Sequence, residues 1–86
     1  MFVEVLLPLG IAADRDEVED AVAEAIEGEG EVVGAGTGEL GSNLDVEFDR
    51  DVDVAALTET LAKAMHSVRV VGASFRVEGT EAWISL

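Results

Sequence analysis

The chain has 86 residues, no cysteine, and 19 acids against five Lys and Arg, for a formal charge of −14. That charge excludes a basic footprint for nucleic acid or anionic membrane, and the missing cysteines exclude disulfides, thiolate catalysis and cysteine-bound zinc. Apolar residues make up 49% of the chain, enough for one globular domain over residues 1–86 rather than a disordered segment.

The acidity is uneven. Residues 1–59 hold seventeen acids against Arg15 and Arg50, a local charge of −15, whereas residues 60–86 carry +1. Such a field attracts a basic partner and steers its approach. An alternative source is the host: in concentrated salt the Debye length falls to about 3 Å at 1 M and surface repulsion vanishes. A salt-loving or very GC-rich organism would spread this composition over its whole proteome.

The first predicted element is a strand over Phe2–Leu7, with Val3, Val5 and Leu7 on one face and Phe2, Glu4 and Leu6 on the other. Two largely apolar faces suit a central strand. The opening apolar run lacks a basic n-region and is interrupted by Glu4, so it does not read as a signal peptide. It is also far shorter than the ~20 residues of a membrane span. A cytoplasmic protein is the expectation.

Asp14 and Glu17 form an acidic capping box before a helix whose stripe is Val18, Ala21, Val22, Ala25 and Ile26. Glu19, Asp20, Glu24 and Glu27 lie off the stripe, and Gly28 or Gly30 ends the helix. A short strand at Glu31–Ala35 and a glycine turn follow. Leu44, Val46 and Phe48 then alternate with Asn43, Asp45, Glu47 and Asp49, the pattern of a half-buried strand with its acids facing water. A second helix is predicted from about Asp53 to His66, with Val54, Leu57, Leu61 and Met65 inward. The remainder reads as a strand from Ser67, an interruption at Gly72, a second strand, a turn at Glu78-Gly79-Thr80 and a final strand carrying Trp83.

This order, strand–helix–strand–strand–helix–strand with an extra C-terminal strand, resembles the ferredoxin-like split βαβ motif, an α+β sandwich. The resemblance implies an antiparallel sheet with two helices on one face. The hairpin Gly-Thr-Gly-x-x-Gly-Ser-Asn-x-Asp-Val-Glu over residues 36–47 is similar to that of small uncharacterised prokaryotic proteins, and it implies no mechanism.

Several familiar chemistries do not fit this sequence. Gly36 to Gly41 matches G-x-G-x-x-G by letter, but the fingerprint requires the last glycine to open a helix onto a pyrophosphate, and here a strand follows. Counted from Asp45, an EF-hand would need glycine at Arg50 and a bidentate Glu at Ala56. Alternate strand residues stand ~6.6 Å apart, too far for Asp45, Glu47 and Asp49 to close on one ion unaided. RNA-recognition domains carry aromatic and basic residues where this strand has Asp45, Glu47 and Asp49. An acylphosphatase-like site lacks its early arginine, a copper chaperone its cysteines, and no Gly-x-Ser-x-Gly elbow accompanies the lone His66. No catalytic residue, cofactor or metal ligand is assigned.

What remains is surface. Phe2, Leu6 and Val71 are expected to share the uncovered sheet face, with Trp83 either at an interface or completing the core. The expected function is a non-catalytic module for a basic protein partner, in the manner of immunity proteins and acidic inhibitors. Its surface would comprise Phe2, Leu6, Trp83, Asp45, Glu47 and Asp49, together with Glu19, Asp20 and Glu24. The alternative is an ACT-like, homodimeric, ligand-sensing domain using the loop at residues 8–14 and the Gly36–Gly41 loop.

Overall fold

Alternation in the first strand organises the molecule. In the computed structural model, which describes residues 1–38 and 41–86, β1 (Phe2–Leu7) buries Val3, Val5 and Leu7 completely and leaves Phe2, Glu4 and Leu6 half-exposed on the opposite side. The chain continues through α1 (Arg15–Ala25), β2 (Gly30–Gly38), β3 (Gly41–Phe48), α2 (Val54–Ser67), β4 (Ser74–Val77) and β5 (Ile84–Ser85). It is an α+β protein with one five-stranded antiparallel sheet, in the order β2-β3-β1-β4-β5.

The expected parity of β3 is found. Leu44, Val46 and Phe48 are buried, whereas Asn43 and Asp45 are half-exposed and Glu47 is exposed. The buried face joins Val18, Val22 and Ile26 from the first helical segment and Leu57, Leu61, Ala64 and Met65 from α2 in one core with Phe75. Each fully buried Val, Leu or Phe contributes about 1.5–3 kcal/mol by leaving water, so both helices are held by their stripes rather than by intrinsic propensity. Among the described residues no helix is long and apolar enough to cross a membrane.

Several sequence expectations are corrected. Ala25 and Val54 lie on exposed helix surface, outside the core stripes. Asp14 occupies the N-cap position of α1 but its side chain makes no capping bond, so the capping box is not formed. The expected strand from Ser67 to Val71 does not exist: α2 continues to Ser67 and Val68 caps it. Arg69 then takes φ 60 and Gly72 φ 89, so the chain turns here and Gly72 marks a break, not a bulge. Val71 is 86% exposed in that connection and is not part of the sheet.

The glycine segment is also largely strand. β2 runs to Gly38, which pairs with Gly41. The nucleotide-fingerprint reading and the ligand-loop reading of residues 36–41 both include Glu39 and Leu40, which lie outside the described residues. Among the described residues of this run only Gly41 has a left-handed φ, at 130. A Cβ there would collide with the carbonyl oxygen of Leu7, so the close approach of β3 to the end of β1 requires glycine.

Candidate interaction surface

The side of the sheet away from the core can be read in rows from the strand register. One row is Gly34–Asp45–Glu4–Arg76, and flanking it are Glu31–Glu47–Phe2 and Gly36–Asn43–Leu6–Ser74. On this open face acids meet acids across strands. Glu31 stands opposite Glu47, and Glu4 opposite Asp45. Just beyond the strand ends, the Asp49 amide donates to the Glu29 carbonyl at 3.3 Å, which brings a third acidic pair side by side. Like charges directly opposite in a sheet are unfavourable.

Cations relieve little of this repulsion. Among the described residues the ion pairs are Arg76 with Glu4 at 3.0 Å and Lys63 with Glu59 at 3.5 Å. The Arg76 guanidinium also stacks 4.6 Å from the centre of the Trp83 ring. One arginine is thus shared between a carboxylate and an aromatic face, an arrangement worth about 0.5–1 kcal/mol at an exposed site. Arg15 donates to the Thr37 hydroxyl at 2.9 Å rather than to an acid. Asp45, Glu47 and Glu31 are left with no ion-pair partner among the described residues.

The structure brings together Phe2, Leu6, Asp45, Glu47 and Trp83 of the expected surface on or beside the open face. Trp83 is 41% exposed, which rules out the reading in which it completes the core. Asp49 lies past the end of β3. Together with Gly28, Glu29, Arg50, Asp51 and Val52 it lines a shallow cleft of about 360 Å³. Glu19, Asp20 and Glu24 belong to α1, whose buried residues face the core from the other side of the sheet. They form a separate surface. Sequence reasoning missed Glu31 and Arg76, because cross-strand register is not written in either strand alone. The signal within reach was the shared parity of Glu4 with Phe2 and Leu6.

The carboxylate ladder does not act as a unit. Asp45 and Glu47 project from β3, Asp49 and Asp51 line the cleft, and Asp53 caps α2 by accepting from the Ala56 amide at 3.3 Å. Among the described residues no group of three His, Asp or Glu side chains is arranged to hold a metal. All of the described buried side chains are apolar. A second shallow cleft of about 290 Å³ lies at the β1–β4 end, lined by Phe2, Glu4, Arg76, Glu78, Gly79 and Thr80.

Comparison of the chain with protein-family models, with curated proteins and with solved structures finds no match.

Proposed function

We propose that this protein is a non-catalytic binding domain that receives a cationic protein partner on the open face of its sheet. The observation that carries this reading is the cross-strand opposition of acids in the register, Glu31 to Glu47 and Glu4 to Asp45, relieved within the described residues only by Arg76. Repulsion of this kind lowers the stability of the free domain, and a partner supplying Lys or Arg converts it into attraction. The half-exposed Phe2 and Leu6 and the exposed Trp83 provide the apolar and aromatic contacts from which binding energy is usually drawn.

The element order, with β1 flanked antiparallel by β3 and β4, supports a ferredoxin-like reading of the fold. It departs from the four-stranded motif by the edge strand β5 beyond β4. Such folds host many unrelated functions, so the functional proposal rests on the face and not on the fold.

The test separates this face from bulk charge. A Lys-rich peptide is titrated into the protein and into two variants that each lose three negative charges. One carries Glu31→Gln, Asp45→Asn and Glu47→Gln, and the other Glu19→Gln, Asp20→Asn and Glu24→Gln on α1. Affinity is expected to fall steeply with salt and to drop in the sheet variant far more than in the helix variant. Equal losses in both would show that the acidity is a general solvent-facing property of the host's proteins, and would overturn the proposal.

A further inference from the structure

β2 is the long free edge of the sheet. It pairs with β3 on one side, and among the described residues no strand pairs with the other. The opposite edge is β5, only two residues long. Edges of natural sheets are commonly blunted by bulges. Here the register shifts between Val32 and Gly34, but beyond that point pairing is regular from Gly34 to Gly38. The backbone groups along that outer side of β2 can therefore template an added strand.

The open-face positions of this segment are Gly34, Gly36 and Gly38, opposite Asp45, Asn43 and Gly41. With no side chains at these three positions, the polar groups of β3 lean outward over the edge strand. Asp45 Oδ2 lies 3.1 Å from where a Gly34 Cβ would stand, and Asn43 Oδ1 lies 3.0 Å from the equivalent point at Gly36. The orientation of the amide is fixed by chemistry. Asn43 Nδ2 donates to Asp45 Oδ1 at 3.3 Å, and a carboxylate can only accept, so the Asn43 oxygen is the atom turned to the edge. Two acceptor oxygens, in rows two residues apart, hang over a bare backbone.

We infer that the cationic partner engages this protein through an extended segment that adds to β2 along Gly34–Gly38, with Lys or Arg at alternate positions reaching over the glycines to Asp45 and Asn43. The inference rests on the proposed binding of a cationic partner and specifies its form. Residues of an added strand that share one face recur every ~6.6 Å, matching the two rows. Strands lie ~4.8 Å apart, so the added residue and Asp45 are separated by two spacings, a gap that a long cationic side chain and a carboxylate bridge together. Charge alone would accept any basic surface. The glycine-floored edge accepts an alternating strand.

Two nine-residue peptides of identical composition test it. One alternates Lys with Val and Thr, and its isomer carries all the Lys in one block. Binding is followed by amide chemical shifts and by hydrogen exchange along β2. The alternating peptide is expected to bind on the order of tenfold more tightly, and to protect amides within residues 34–38. Gly36→Val should erase that preference by covering the path to Asn43. Asp45→Asn should do the same without adding bulk, and Asp20→Asn serves as the charge-matched control. Thermal melts establish that each variant is folded.

If both peptides bind equally and Gly36→Val changes nothing, the strand-addition inference is overturned while the acidic-face proposal stands. If neither peptide binds, both fall. If sedimentation shows a dimer that Gly36→Val dissociates, the edge serves a second copy of this chain, and the inference is overturned.

Discussion

Glu31 and Glu47 occupy directly opposed positions on β2 and β3, both exposed, and neither has an ion-pair partner among the described residues. Glu47→Lys turns this opposition into an attraction and is expected to raise stability by roughly 0.2–1 kcal/mol. The wild-type denaturation midpoint should climb as salt increases toward about 1 M, where screening is nearly complete. The variant's midpoint should climb less. Parallel salt responses would mean that these two carboxylates avoid each other in solution.

The two helix starts should respond differently to the same substitution. Asp53 accepts from the Ala56 amide, whereas the Asp14 side chain makes no such bond. Asp53→Ala is expected to cost about 0.5–2 kcal/mol. Asp14→Ala should cost less, since only its favourable charge near the helix start is lost. Urea unfolding of the two variants settles the order.

Gly41 and Gly79 both have positive φ, 130 and 86, but their surroundings differ. An added Cβ at Gly79 meets nothing within 4 Å, whereas at Gly41 it would strike the Leu7 carbonyl. Gly79→Ala is expected to cost about 1–2 kcal/mol from backbone conformation alone. Gly41→Ala must also push β3 from β1, a large loss for a chain whose total stability is on the order of 4–13 kcal/mol at this length. A Gly41→Ala protein that melts with the Gly79→Ala protein would contradict the packing described.

Arg76 couples Glu4 to Trp83. Arg76→Ala should alter Trp83 fluorescence and destabilise by about 1 kcal/mol. A double-mutant cycle with Trp83→Leu isolates the stacking term. A coupling energy of zero would show that the ring and guanidinium are neighbours without attraction.

The elements legible in the sequence were those with strong periodicity. Val18, Val22 and Ile26 announced α1, and Leu44, Val46 and Phe48 announced the inward face of β3, because burial leaves its period in the residue order. Where burial is carried by single residues, the pattern fails. Val68, Val70 and Val71 look like a strand, yet the helix overruns into Ser67; Val70 is buried, Val68 packs partly against the core and Val71 faces solvent. β-Propensity gave way there to the geometry of a helix exit. The glycines of β2 hid its length, since a residue with no side chain shows neither period. The candidate surface was legible by half: parity located Asp45 and Glu47, but their opposition to Glu4 and Glu31 depends on register, which belongs to pairs of strands.

β1 lies between β3 and β4, paired with Ser42–Glu47 on one side and Ser74–Val77 on the other. β1 therefore waits for β4, a strand far along the sequence, and its Val3, Val5 and Leu7 are not enclosed from both sides until β4 is in place. Contacts this distant in sequence slow the search for the native state. Abundant negative charge keeps chains apart by mutual repulsion while this apolar strand is still uncovered.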